Sequence, residues 1–414
     1  MPGFEAAKVR NTPLSSPLYF GFYSISQHES VGLLAMAAKQ SIAFVANTSW
    51  SIYKFRLYLI EQLIGKGYAI YVLAPRDAHT ALFESLPGLT YIELDHLKSN
   101  SISPFQDALL YWELRSHYRR LRPGLIFHYT IKANIWGTLA AASAGIPSIS
   151  VVTGLGYTFS GKGWLLKAVK KLYRLALRSS AETWFLNEDD RLVFTAEKLI
   201  DPQKTFLLPG EGVDVEGFFP SPYVTGKKTV TFLLVGRMIS HKGIYEFIRA
   251  AGLLRQKGLA ITCQLLGFFD DNNPVAIPRS RVEEWTKSGI VTYLGHTDQV
   301  APFIEQADCI VLPSYREGLP LSLLEGASMC KALIAANTAG CRDLIEEGRN
   351  GYLCPEKDEV GLAEKMAVYY HLPAEAKRQM GIESRNKILQ NFTREIVAGI
   401  YLDKIHSFLI AGRE

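Results

Sequence analysis

The segment PSYREGLPLSLLEGAS, residues 313–328, decides how this chain is read. It follows a short apolar run, CIVLP (309–313), and passes through Gly318 and Pro320 into a stretch with helical character, Leu319 to Met329. A strand that ends in a tight turn and opens directly into a helix is the repeating step of a parallel α/β sheet. Glu317 falls in the turn and Glu325 about two helical turns further on, with seven residues between them. The amides near Leu319, Leu321 and Ser322 then belong to a helix N-terminus, where backbone donors and the helix dipole suit a phosphate. Two glutamates at this spacing can also be plain solvated helix charges, and it is the strand end with Gly318 and Pro320 that favours a site.

The same rhythm runs in both directions from this segment. Upstream, SIAFVAN, AIYVLAP, LTYIEL, LIFHY, SISVVTG, ETWFLN and TFLLPG alternate with helical stretches from Ser41 onward. After the polar stretch PSPYVTGKKT (220–229), a natural linker, the pattern restarts with VTFLLVGR, ITCQLLG, IVTYLG, CIVLP and ALIAA. The expected fold is α/β, two doubly wound Rossmann-like domains facing a central cleft, with ligands at the carboxyl ends of the strands. The expected divisions are 41–220, 229–390, and a terminal helix over 391–414 that crosses back to the first domain. Residues 1–40, with Pro2, Pro13 and Pro17 around LYFGFY, lack the basic start and cleavage site of a secretion signal and are expected to form a poorly ordered extension.

Composition narrows the function. The chain of 414 residues is 48% hydrophobic and 11% aromatic, enough for two cores and unlike a disordered chain. No apolar run reaches the ~18–20 residues that span a bilayer. The five cysteines include no CxxC pair, which argues against a disulfide framework or a structural zinc site. Charge is uneven: residues 98–178 hold twelve basic and two acidic residues, whereas 179–220 hold three and nine. Such a patch implies an anionic partner, and nucleic acid fits least because no recognised module accompanies it.

Three further segments bear on chemistry. In VGRMISHKG (235–243), Gly236 and Arg237 end a strand and Lys242 opens the next helix. Cations on such a turn can hold a diphosphate and stabilise its charge as a bond to it breaks; alone, they would be ordinary surface charges. GYTFSGK (156–162) has P-loop spacing, but Gly163 stands where Ser or Thr should hold magnesium, so a flexible acceptor loop is the stronger reading. In KGWLLKAVKKLYRLALR (162–178), Lys167, Lys170, Lys171, Arg174 and Arg178 share one helical side. That suits an anionic bilayer surface, with a packed helix and a wet basic face as the alternative.

VGRMISHKG, PSYREGLPLSLLEGAS and AGCRDLIEEGRNGYL (339–353) together resemble the retaining GT-B glycosyltransferases of family GT4, over about Ser41 to the C-terminus. The resemblance implies donor binding in the second domain. Arg237 and Lys242 would lie on the diphosphate and Glu317 on the transferred sugar, these three being the expected catalytic residues. Glu325 would take the nucleotide ribose. Gly236, Gly267, His296, Thr297, Gly318, Leu319, Leu321 and Ser322 would complete the donor site, with the base against backbone near Leu294 to Thr297. FHYTIKANIWGTLAA, VVTGLGYTF and LLPGEGVDVEGFFP are similar to transferases that add an N-acetylhexosamine to a polyprenyl-diphosphate-linked sugar in bacterial surface glycan assembly. The implied partners are therefore a UDP-linked nucleotide sugar, a polyprenyl-diphosphate-linked saccharide and an anionic membrane surface, with no metal, cofactor or nucleic acid. The implied place is the cytoplasmic face of the cell membrane.

The first domain departs from the family pattern. A glycine-rich turn is replaced by NTSWSIYKF (47–55), and a His-x-His pattern by Phe127-His128-Tyr129. Asn47, Ser49, His128, Lys132, Thr153 and Gly154 are the expected acceptor-side residues, His128 equally readable as a core histidine. A nucleotide-sugar hydrolase or epimerase of the same fold, and a non-catalytic nucleotide-sugar-binding protein, are the alternatives.

Overall fold

Short runs of Val, Ile, Leu, Phe and Ala, buried on both faces, build two all-parallel sheets. The computed structural model describes residues 41–98, 103–155, 163–224, 226, 228–271 and 273–411. The N-terminal stretch 1–40 and the P-loop-like segment 156–162, Lys162 included, lie outside the described residues.

The first sheet contains β1 (Ser41–Val45), β2 (Ala69–Ala74), β3 (Leu89–Glu93), β4 (Leu125–Tyr129), β5 (Ser148–Val152), β6 (Glu182–Phe185) and β7 (Thr205–Leu207), in the order β3-β2-β1-β4-β5-β6-β7. The second contains β8 (Val230–Val235), β9 (Ile261–Leu266), β10 (Thr292–Tyr293), β11 (Cys309–Leu312), β12 (Ala332–Ala336) and β13 (Gly351–Cys354), in the order β10-β9-β8-β11-β12-β13. In each sheet the chain winds one way and then the other, so the order reverses between β1 and β4 and between β8 and β11. Crevices at the carboxyl ends of strands form at such reversals.

Helix starts follow local chemistry. Thr48 caps Ser49–Gly65 by accepting from the Ser51 amide, and Asn187 caps Glu188–Ala196 by accepting from Asp190. Glu188, Asp189 and Asp190 in that first turn complement the helix dipole.

The last helix, Arg394–Ala411, does not stay with the second sheet. Its Val397, Ala398, Tyr401 and Ile405 enter the core formed by Phe44, Phe127 and Trp184. The Tyr401 ring lies 5.1 Å from Phe127 and 4.8 Å from Trp184, centroid to centroid, and its hydroxyl is 3.0 Å from that of Tyr129. Beneath this contact the Arg56 guanidinium sits 3.6 Å from the Tyr129 ring centroid and pairs with Glu211. Burying Tyr401 among three aromatic side chains makes it a keystone. Tyr401→Ala is expected to cost about 3–5 kcal/mol, as for other large aromatic truncations in a core, and a denaturant titration that moves by less than 1 kcal/mol would count against this role.

Candidate active site

The turns after β8 and β11 are forced together by glycine. Gly243 has φ +71°, and a Cβ there would lie 2.1 Å from the Pro313 carbonyl at the end of β11. Gly267, at φ +151°, would place a Cβ 1.8 Å from the Gly236 carbonyl. Hydrogen bonds tie the same turns: the His241 carbonyl accepts from Ser314 Oγ at 3.0 Å and from the Tyr315 amide at 3.0 Å. This packing brings Lys242 Nζ to 2.5 Å from Glu317 Oε1, so two motifs far apart in sequence meet at the switch point. Arg237, about half exposed, donates to Asp270 Oδ2 at 3.0 Å.

The Glu317–Gly318 turn also touches the first domain. A Cβ on Gly318 would lie 2.0 Å from the Thr153 carbonyl, and one on Gly154, at φ +133°, would lie 3.2 Å from the Gly318 nitrogen. Asn187 Nδ2 donates to the carbonyls of Glu317 at 3.3 Å and Gly318 at 2.8 Å. Arg316 pairs with the buried Asp190, whose carboxyl is lifted by burial against the pull of Arg316. Thr153 and Gly154 thus lie against the Glu317–Gly318 turn. Asn187, Asp190 and Arg316 escaped the sequence reading, although the strand ETWFLN leading straight into an acidic run was a usable signal.

Glu325 is buried on the helix Leu321–Ser328, which Pro320 precedes and no side chain caps. Its carboxylate oxygen lies 3.7 Å from Lys54 Nζ, a cation from the other domain. Burial pushes the Glu325 carboxyl up to about 7, with Lys54 pulling the other way. Leu321 and Ser322 open the helix, while the Leu319 side chain packs on Gly210 and joins the apolar cores of both domains. On the remaining wall, His296 meets Phe268 edge-on at 5.3 Å, and Thr297 Oγ1 accepts from the Gln299 amide at 3.0 Å.

Two acceptor-side candidates, Ser49 and His128, are buried in the first domain's own packing. Ser49 is buried, bonded to Asp77 and 3.2 Å from Thr80 Oγ1, so it anchors a helix start. His128 is a core histidine: it is fully buried, its ring lies 2.9 Å from the Tyr118 hydroxyl and 3.3 Å from Thr138 Oγ1, and burial lowers its pKa to about 3. Lys132 is committed to Asp107 at 2.7 Å. Asn47 stays half-buried just past β1. The basic helix, Trp164–Leu177, is not free of acids as its own sequence suggests. Lys170 pairs with Glu197 at 2.6 Å, and Arg174 donates to the carbonyls of Glu197 and Lys198 at 3.0 Å each. Lys167, Lys171 and Arg178 remain exposed, together with Trp164 and Leu175.

Comparison with known proteins meets this geometry at both sheets. Residues 41–185 match the family described as glycosyl transferase 4-like, and residues 229–371 match glycosyl transferases group 1. The N,N'-diacetylbacillosaminyl-diphospho-undecaprenol alpha-1,3-N-acetylgalactosaminyltransferase of Campylobacter jejuni is 28% identical over 79% of this chain and 88% of its own length. The Escherichia coli UDP-Gal:alpha-D-GlcNAc-diphosphoundecaprenol alpha-1,3-galactosyltransferase is 25% identical over 62% of this chain and 69% of its own. The crystal structure of Anabaena HepE in complex with UDP superposes with a TM-score of 0.70 at 19% identity, covering 89% of this chain and all of that one (100%). The two facing parallel sheets are therefore the GT-B architecture. Since one wall of the cleft carries the 4-like match and the other, with Lys242 and Glu317, carries the group 1 match, the chain belongs to the GT4-like, group 1 glycosyltransferases.

Proposed function

We propose that this glycosyltransferase moves an N-acetylhexosamine, with retention, from a UDP-sugar to a polyprenyl-diphosphate-linked saccharide in bacterial surface glycan assembly. In this reading residues 41–220 take the acceptor, 229–390 the donor, and 391–414 join the two. The observation that carries it is the Lys242–Glu317 pair at the sheet reversal, 2.5 Å apart and beside an uncapped helix start. An arriving donor parts that pair. Lys242, Arg237 and the amides of Leu321 and Ser322 then hold the diphosphate, and Glu317 accepts hydrogen bonds from hydroxyls of the sugar. Glu325 takes the ribose, and the base rests against backbone near Leu294 to Thr297, flanked by His296.

As the bond between the anomeric carbon and the diphosphate oxygen breaks, negative charge grows on that oxygen, and preorganised cations and amides stabilise it. The acceptor hydroxyl attacks from the face the leaving group vacates, and its proton passes toward the departing diphosphate. The undecaprenyl diphosphate in the names of both curated relatives supports the acceptor class. Labelled donor with a lipid-diphosphate acceptor tests the whole reading: a longer lipid-linked glycan supports transfer. Free sugar would indicate a hydrolase, a new nucleotide sugar an epimerase, and bound but unchanged donor a binding protein.

Among the described residues no helix is long and apolar enough to cross a membrane. Attachment to the cytoplasmic face of the cell membrane is proposed to run through Lys167, Lys171 and Arg178, with Trp164 and Leu175 beside them. Since Lys170 is held by Glu197, the informative change is Lys167→Glu with Lys171→Glu. Binding to anionic vesicles should weaken roughly tenfold or more at 0.1 M salt and the difference should shrink as salt rises. Equal vesicle binding by the two proteins would remove the membrane assignment.

A further inference from the structure

Lys54 lies on the helix Ser49–Gly65 of the first domain, yet its Nζ comes within 3.7 Å of Glu325 Oε1 in the second. Its side chain keeps about a third of its surface exposed (30%), whereas that of Glu325 is almost sealed (5%). The other cations near the Glu325 helix are directed elsewhere. Arg385, on the packed helix Ala374–Asn391, donates to the carbonyls of Ser328 and Phe218, and Lys387 on the same helix pairs with Glu346 at 3.2 Å. On the helix that carries Lys54, Arg56 is paired with Glu211. Among the described residues, Lys54 is thus the cation that acts on this carboxylate.

We infer that Lys54 is a positioning residue for the donor: reaching across the cleft, it holds the buried Glu325 carboxylate as an anion and makes donor binding in one domain depend on the presence of the other. A carboxylate accepts both hydroxyls of a ribose only while ionised, and a buried one stays ionised near neutrality only with a counter-charge at hand. When the domains part, Lys54 leaves and the carboxyl takes up a proton, so the donor meets a competent Glu325 in the closed enzyme. This rests on the reading of Glu325 as the group that receives the ribose. Burial and Lys54 pull the carboxyl in opposite directions, with about 7 as the outcome.

The test is calorimetric titration of the full chain with UDP from pH 6 to 9, comparing wild type, Lys54→Met, Lys54→Arg and Glu325→Gln. Ratios to wild type at each pH cancel the titration of UDP itself. Loss of an adjacent cation raises a carboxyl pKa by about one unit or more. Lys54→Met should therefore bind UDP about threefold or more weakly at pH 7.5 and approach wild type toward pH 9, and Lys54→Arg should restore the wild-type profile. A Lys54→Met profile that overlays wild type overturns the inference, as does one lowered by the same factor at every pH, which would mean that Lys54 touches the donor directly. Glu325→Gln separates the two levels. If it binds UDP like wild type, the ribose assignment itself fails; if it binds weakly while Lys54→Met overlays wild type, the role of Lys54 alone fails.

Discussion

Exchange of Lys242 for alanine is expected to lower turnover by about a hundred- to thousandfold, the usual cost of removing one preorganised donor to developing charge. Of the two cations, Lys242 is expected to have the larger effect. It is mostly buried, with its ammonium 2.5 Å from Glu317, whereas Arg237 is about half exposed and shared with Asp270. The alanine variant also leaves the Glu317 carboxylate without its counter-charge, at the place proposed for a second anion, the diphosphate. Stability should change little, because neither side chain is fully enclosed. Initial rates at saturating donor, together with a melting curve, provide the measurement. Turnover within threefold of wild type would remove Lys242 from the chemistry.

Gly318→Ala is the second large effect expected, and it acts through backbone rather than charge. Its Cβ would sit 2.0 Å from the Thr153 carbonyl, and main chain on main chain cannot yield by a rotamer change. The turn cannot retreat the other way, because a Cβ on Gly340 would already lie 2.4 Å from the Gly318 carbonyl, which shows how closely that loop abuts it. The domains must therefore separate at this point, carrying Glu317 away from Thr153 and Gly154. Displacement of a reacting group by about 1 Å can cost roughly a hundredfold, and a loss of that order is expected while each sheet keeps its melting behaviour. Solution scattering should show a wider particle. A variant with wild-type scattering and turnover within fivefold would show that this contact is not part of the working enzyme.

The parts of this enzyme legible from sequence were those encoded over a few adjacent residues. Strand runs such as VTFLLV and CIVL, the glycines of VGRMISHKG and the helix after Pro320 all declare themselves locally, and the glycosyltransferase fold followed from them. The acceptor wall was less legible because its residues are defined by what they meet at a distance. His128 reads the same whether it faces a ligand or, as here, Tyr118 and Thr138 in the core. Ser49 looks available until Asp77, on the loop after β2, is folded against it. The pairing of Lys170 with Glu197 was hidden for the same reason, since the acid arrives from the far end of the helix Glu188–Ala196. Lys54 carries no motif at all, and only the approach of the two domains brings it to Glu325.

The chain passes between the domains twice, and the two passages touch: Val213 bridges Thr393 in parallel, with the Val213 amide donating to the Phe392 carbonyl at 2.9 Å and the Arg394 amide donating to the Val213 carbonyl at 3.1 Å. A single linker would let one domain swivel freely about the other. Two passages hydrogen-bonded side by side, like the pin of a door, restrain that swivel. Any opening and closing of the two domains would then pivot about this crossing, which ties the position of Glu317 opposite Thr153 to a contact well away from it.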